Sequence, residues 1–195
     1  MSGEANLFSP TEAAYIVGQP VKAVQKAIDE GNIVSRRLRR GGAVVRQVGE
    51  PELVYLRLLK EVSGALLPAA KKHVYRRLRE QRGVDSVVTL GPIAVDVSEA
   101  RRDVAARAEM LRKARSFVVS DPGIRGGEPV LRGTRVPVHT LAALSRQGAS
   151  VKELLETYPW LDREQVEAAL TYARAYPRRG RPQRRPWLDR PLGGS

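Results

Sequence analysis

The 195-residue chain contains no cysteine, which removes disulfides and thiolate-bound metals from consideration. A cytoplasmic location is the expectation consistent with that absence. Histidine is nearly absent too. The two present, His73 and His139, stand far apart in sequence, too few for an imidazole-rich metal or acid–base site. No uninterrupted apolar run approaches the roughly 18 residues of a membrane span, so no membrane association is expected. The opening "MSGEANLFSP" lacks a basic stretch followed by an apolar one, and no signal peptide is expected. Acidic residues number 21 and are scattered among helix starts and solvated faces. Without a cluster of ligands or a nucleophile beside a base, the chain is not expected to be an enzyme or to carry a cofactor. Lysine is also scarce: of 34 basic residues only seven are lysine.

Arginine is what the sequence has in plenty. The net charge is +13, with 42% hydrophobic and 28% charged residues, the balance of a globular protein. Such a charge attracts polyanions: nucleic acid, a membrane surface or an acidic protein. An arginine-heavy chain also fits a GC-rich genome, so the placement of charge says more than its total.

Residues 1–62 read as a winged helix-turn-helix. In "FSPTEAAYIVG", Ser9 with Glu12 forms a capping box, Pro10 opens the helix and Gly18 ends it. A second helix runs from Pro20 to Gly31, with Val21, Val24 and Ile28 on its apolar stripe. Its opposite face carries Gln19, Lys22, Gln25, Lys26 and Asp29. Two short strands then flank Gly41-Gly42, with Arg36, Arg37, Arg39, Arg40 and Arg46 on or beside the turn. Gln19, Lys22, Gln25 and Lys26 are of the types that reach base edges. Arg36, Arg37, Arg39 and Arg40 suit phosphates or a minor groove. An ordinary solvated hairpin on a small helical domain is the bland alternative. "EPELVYLRLLKEV" is apolar nearly all round and is expected to complete the core and share in a homodimer contact.

Residues 63–115 read as connecting scaffold. A helix places Leu67, Ala70, Val74 and Leu78 inward, and a hairpin turns at Gly91-Pro92. Ser98 is expected to cap a long helix striped by Ala100, Val104, Ala108, Leu111 and the stem of Arg115. His73 reads as a surface residue.

The stretch "DPGIRGGEPVLRGTRVPV", Asp121 to Val138, holds four glycines, three prolines and three arginines. A phosphate loop would need a Gly-Lys-Ser/Thr ending, and a dinucleotide site its own glycine spacing; neither is here. The segment reads instead as a hairpin between Phe117-Val118-Val119 and Val130-Leu131, with Gly123, Gly126 and Gly127 supplying positive φ. Arg125, Arg132 and Arg135 leave a nucleic-acid or protein contact open.

Three helices follow. The first is built on Val138, Leu141, Ala142 and Leu144. The second opens on a capping box of Ser150 and Glu153, and the third is capped by Asp162. The third exposes Glu164 and Glu167 beside Arg163 and Arg174, a mixed face poorly suited to DNA. The Pro-Gly-Ile, Gly-Gly-x-Pro-Val, Arg-Gly-Thr-Arg-Val-Pro-Val, Gly-x-Ser and Tyr-Pro-x-Leu motifs stand in order over Asp121 to Tyr176. With the Ala-rich helix after them, they resemble domain of unknown function 433, found in bacterial and archaeal antitoxin-like proteins. The N-terminal half is more loosely similar to the helix-turn-helix of MerR-type or excisionase-type regulators. The combination resembles a VapB-type antitoxin. That resemblance implies a PIN-domain ribonuclease toxin as partner, neutralised through its acidic site, and repression of the chain's own operon by binding double-stranded operator DNA. It brings no catalytic residue with it.

The fold expectation is thus mainly α with small β-hairpins: a winged helix-turn-helix, a connector, a three-helix bundle over 116–176 and a basic tail over 177–195. The tail is expected to lack a fold of its own, carrying seven arginines from Arg174 onward against one aspartate. Arg184, Arg185, Trp187, Leu188 and Arg190 are its candidate toxin-binding residues, an apolar anchor set among cations. A stand-alone transcription regulator without a toxin is the alternative. A nucleic-acid enzyme is the weakest reading.

Overall fold

The computed structural model describes residues 7–40, 42–62, 64, 66–80, 87–91 and 93–178. Among these it is mainly helical, with eight α-helices and three two-stranded antiparallel sheets, as the sequence led us to expect.

Helix α1 (Pro10–Val17) begins with the capping box. Ser9 Oγ accepts the Glu12 N–H (3.3 Å), and the Glu12 carboxylate accepts the Ser9 N–H (2.7 Å). It ends at Gly18, whose φ of 65° is the left-handed conformation that glycine adopts without cost. Three residues later comes α2 (Val21–Asp29), which turns Val24 and Ile28 into the core. Strands β1 (Arg36–Arg40) and β2 (Ala43–Gln47) pair with Arg37 opposite Arg46 and Arg39 opposite Val44.

Helices α3 (Glu50–Val62), α4 (Pro68–Glu80) and α5 (Ser98–Ser116) follow, with the hairpin β3 (Val87–Leu90) and β4 (Ile93–Asp96) between the last two. One core joins all of these to α1 and α2. It includes Ile16, Val24, Leu53, Val54, Val74, Leu78, Val104 and Leu111. Burying a large aliphatic side chain of this kind contributes about 1.5–3 kcal/mol. The segment read as connecting scaffold is therefore part of the first core, and α5 is its spine. Three details differ from the sequence reading. Leu67 is 76% exposed because α4 starts only at Pro68. Ser98 is the first residue of α5 and does not cap it; Val97 stands at the cap, and the Asp96 carboxylate before it accepts the Ser98 N–H (2.7 Å). Ala114 rather than Arg115 completes the buried stripe of α5.

The C-terminal part starts with β5 (Val118–Val119) paired to β6 (Val130–Leu131). Helices α6 (Val138–Arg146), α7 (Val151–Thr157) and α8 (Arg163–Ala175) pack behind them around Leu131, Val138, Leu141, Leu154 and Val166. Capping boxes start both α7 (Ser150 with Glu153) and α8 (Asp162 with Gln165). The glycine-rich segment is a structural hairpin. Gly126 and Gly127 take positive φ as expected. Gly123 does not, and Arg125 does instead, at 49°. Arg125 pairs with Glu128 (3.2 Å), and Arg132 Nε donates to the Ser116 carbonyl (3.0 Å). Thr134 Oγ1 donates to the Leu131 carbonyl and accepts the Val136 N–H, fixing the tight turn at Gly133.

Two buried glutamates lock the assembly. Each is near the start of its helix and accepts the backbone N–H three residues back: Glu12 from Ser9, Glu52 from Gly49 (3.0 Å). Each also takes a tyrosine hydroxyl from another element. Tyr75 of α4 donates to Glu52 (2.8 Å) and accepts the Val34 N–H (2.8 Å). Tyr176, just past α8, donates to Glu12, which Arg115 of α5 also reaches (3.3 Å). Buried polar groups are costly unless hydrogen-bonded, and here they are bonded across elements. Helix α8 thus belongs to both cores: Val166 and Ala169 lie in the second, Ala175 in the first.

Candidate nucleic-acid interface

The exposed face of α2 follows from its buried one. With Val24 and Ile28 inward, residues 22, 25, 26 and 29 fall on the far side of a 3.6-residue repeat. Lys22, Gln25, Lys26 and Asp29 are indeed exposed. Lys26 lies 3.6 Å from Glu30 in a solvent-screened i,i+4 pair. Lys22 and Gln25 make no side-chain bond among the described residues. No side chain caps the start of α2, where Pro20 stands.

Gln19 belongs to the turn and not to this face. Its Nε2 donates to the Leu56 carbonyl (2.7 Å), tying the α1–α2 turn to α3. The amide that was expected to reach a base edge therefore serves the fold.

Arg46 of β2 hydrogen-bonds and pairs with Asp29 at the end of α2, tying the hairpin to that helix. That contact decides which way the arginines turn. Residues opposite one another in an antiparallel pair share a face, and neighbours along a strand alternate. Arg37, opposite Arg46, and Arg39, two residues on, are thus on the face that meets α2. Both are exposed and without an ion pair among the described residues. Arg36 lies on the reverse face, where it lines a groove with Gln47, Gly49 and α5. Of the four hairpin arginines singled out from the sequence, two join α2 and one does not. The side chain of Arg40 lies outside the described residues. Val44, 60% exposed, sits opposite Arg39 and gives this cationic face an apolar edge.

Lys22, Gln25, Lys26, Arg46, Arg37 and Arg39 therefore form one continuous surface over α2 and the hairpin. The acids beside it, Asp29 and Glu30, are each already paired with a cation. Chemically, such a surface offers long flexible cations and guanidinium forks to phosphate oxygens, with an amide and an ammonium on a helix narrow enough for a major groove.

The other sites read from the sequence fare differently. Arg125 and Arg132 are engaged within the hairpin, while Arg135 is exposed and makes no ion pair among the described residues. On α8, Glu164 pairs with Lys113 of α5 and Glu167 with Arg163 (3.7 Å), the mixed face expected. Arg184, Arg185, Trp187, Leu188 and Arg190 lie outside the described residues. Among the described residues no group of three or more histidine, aspartate or glutamate side chains is gathered so as to hold a metal. No helix there is long and apolar enough to cross a membrane. Sequence reasoning missed the two buried glutamate clusters and the Arg46–Asp29 link. A capping-box signal marked Glu12, but nothing local marked its partners.

The C-terminal hairpin and bundle can be placed among known proteins. Residues 118–173 match the family described as Protein of unknown function (DUF433). A DUF433 domain occupies that part of the chain. The uncharacterized protein y4eO of Sinorhizobium fredii (strain NBRC 101917 / NGR234) is 45% identical over 101 residues, which make up 52% of this chain and 45% of that one. The chain thus spans under half the length of that relative. The X-ray crystal structure of Rv2018 from Mycobacterium tuberculosis aligns over 88% of this chain and 100% of that one, at 15% identity and a TM-score of 0.31. The α2–hairpin surface lies outside the residues that match DUF433.

Proposed function

We propose that this protein is a non-enzymatic DNA-binding regulator in which α1, α2 and the β1–β2 hairpin act as a winged helix-turn-helix. The observation that carries the reading is the continuous cationic face of Lys22, Gln25, Lys26, Arg37, Arg39 and Arg46, held in one orientation by the Arg46–Asp29 contact. Preorganisation of this kind favours a rigid polyanion over a passing counterion. Lys22 and Gln25 are assigned to base edges, and Arg37 and Arg39 to the backbone or the adjoining minor groove. A homodimer on a two-fold symmetric operator is the natural form of such a reader.

We further propose that the regulator is the antitoxin of a type II toxin–antitoxin pair, neutralising a PIN-domain ribonuclease and repressing its own operon in the cytoplasm. The motif resemblance of the C-terminal domain supports that step, and the arginine-rich tail supplies cations for an acidic nuclease site. A gel shift with the native upstream duplex, using the full chain and the full chain carrying K22A/Q25A/R37A/R39A at exposed positions, tests the DNA half. A specific shift that this variant loses is expected; retention by the variant would move the reader elsewhere. Co-expression with the neighbouring reading frame tests the toxin half. Failure to co-purify a nuclease would leave a stand-alone transcription regulator.

A further inference from the structure

Two clefts of similar size flank α5 and differ in their charge. One, about 800 Å³, lies between α5 and the start of α3. Its arginines are largely neutralised on the spot: Arg101 by Glu50 (2.9 Å), Arg112 by Glu109, and Arg79 by the buried Glu52 (3.7 Å). The other, about 680 Å³, opens where α2 begins. It is walled by Gly18, Pro20 and Val21, by Arg107 and Met110 of α5, and by Arg174 of α8. Among the described residues no carboxylate lines it.

Both arginines of this second cleft are held from behind and free in front. Arg107 stands among the buried Val104, Ala108 and Leu111, and its only protein hydrogen bond among the described residues is a long one to the Tyr15 carbonyl (3.5 Å). Asp103, one turn earlier on α5, is held by Arg57 through two hydrogen bonds (2.6 and 3.0 Å). Arg174 precedes the buried Ala175 and Tyr176, whose hydroxyl is fixed to Glu12 of α1. Arg174 itself has no hydrogen-bonded or ionic partner among the described residues. A third cation is close by: a methyl group at Gly18 would stand 3.3 Å from both Lys60 Nζ and Arg107 Nη1. Cations gathered around an open cleft repel one another and favour an anion there.

We propose that this cleft receives a DNA backbone phosphate beside α2. Helix α8, through Arg174, and α5, through Arg107, would then extend the footprint of the α2–hairpin face. The inference rests on the DNA-binding reading above. Guanidinium groups bind phosphate oxygens through paired charge-assisted hydrogen bonds, and such contacts add affinity without reading sequence. They also give the C-terminal domain a direct part in DNA binding.

The test is a salt titration of the full chain on its native upstream duplex and on a scrambled duplex, followed by fluorescence anisotropy. The variants are R107Q/R174Q, R174Q alone, and R163Q, which removes a paired arginine of α8. We expect R107Q/R174Q to weaken binding to both duplexes alike. The slope of log affinity against log salt should lessen by about one unit for each arginine lost. R174Q alone should show half of that change, and R163Q none. R174Q carries the test even where the double variant melts early, since Arg174 has no bond to lose. A wild-type chain that binds neither duplex would overturn the DNA-binding reading and this inference with it. Wild-type binding with an unchanged slope in R174Q and in the double variant would overturn the inference alone. A loss confined to the native duplex would also overturn it, because a phosphate contact is blind to sequence.

Discussion

The α1–α2 unit with its hairpin and the α6–α8 bundle of the DUF433 domain are built by the same local rules. Both open helices on capping boxes, turn on positive-φ glycines and hide one apolar stripe. Their outer surfaces differ in degree. In the bundle most of the exposed charge on α7 and the start of α8 is paired: Lys152 with Glu156 (3.8 Å), Arg163 with Glu167 (3.7 Å), Glu164 with Lys113, while Arg174 at the end of α8 is not. On the α2–hairpin face, Lys22, Arg37 and Arg39 have no ion-pair partner among the described residues. Exposed pairs contribute only about 0–1 kcal/mol each, so those of the bundle matter less for stability than for cancelling its field. The net charge of +13 is thus unevenly expressed. Pairing, more than composition, decides where a polyanion would settle.

The sharpest way to break this contrast is charge reversal. R37E/R39E is expected to weaken binding to the upstream duplex by about a hundredfold or more near 0.1 M salt and to flatten its salt dependence, since phosphate contacts dominate such affinities. K152E/R163E on the bundle should change it by less than about threefold. Equal losses in the two variants, read by gel shift or anisotropy, would mean that total charge alone governs binding.

A second test asks whether the two units act as one body. E12A removes the acceptor shared by the start of α1, Tyr176 and Arg115. The lost cap and the stranded Tyr176 hydroxyl should cost about 2–4 kcal/mol, lowering Tm by roughly 4–12 °C for a chain of this size. E164A, which breaks an exposed pair, should stay within about 0.5 kcal/mol of wild type. Thermal melts followed by circular dichroism check both; an E12A melt no lower than that of E164A would remove Glu12 as the joint between units.

What the sequence made legible was local. Ser9-x-x-Glu12, Ser150-x-x-Glu153 and Asp162 announced their helices because a cap is settled within four residues. The hairpin at Gly126-Gly127 was legible for the same reason: positive φ leaves few alternatives to glycine, although Arg125 takes one such position. Long-range partners were not legible. Nothing near Gln19 says that its amide meets the Leu56 carbonyl, 37 residues on, and nothing near Glu12 points to Tyr176, 164 residues away. The sequence reading took Arg36, Arg37, Arg39 and Arg40 as one group, and it is the strand register that separates Arg36 from Arg37. Which of the two faces α2 was set by the Arg46–Asp29 contact, a tertiary fact. The role of α5 as the spine was hidden because its stripe of Ala100, Val104, Ala108 and Leu111 looks like that of any amphipathic helix.

The two kinds of contact proposed for the α2–hairpin surface can be told apart by smaller changes. K22A and Q25A remove groups assigned to base edges and leave the hairpin intact. Each is expected to cost about 1–2 kcal/mol on the native duplex and little on a scrambled one, narrowing the ratio between them. R37A should lower both affinities together. Competition gel shifts measure that ratio directly, and a K22A or Q25A variant that weakens both duplexes equally would reassign these residues to the backbone.

The smallest expected effect separates the two cores by pH. Burial, reinforced by the hydrogen bond to Glu12, raises the hydroxyl pKa of Tyr176 well above the ordinary tyrosine value. Burial likewise raises that of Tyr75, with the bond to Glu52 adding to it and the Val34 N–H opposing it. Each folded-state value lies above the unfolded one of about 10, so the folded chain keeps protons that the unfolded chain releases as pH climbs past 10. Their contribution to stability is complete below that point and is lost as pH rises from there toward the folded values. Lys113, raised by its bond with Glu164, works in the same direction, but it is fully exposed and solvent screens it. The melting temperature should therefore hold between pH 7 and 9 and decline above 10. Y75F/Y176F, with no hydroxyl proton to lose, should start lower at pH 8 yet decline less steeply beyond pH 10. K113A should follow the wild-type curve. A double variant whose alkaline decline matches wild type would place the titrating groups outside the two glutamate clusters, and with them the distinction between a bonded first core and a merely paired outer bundle.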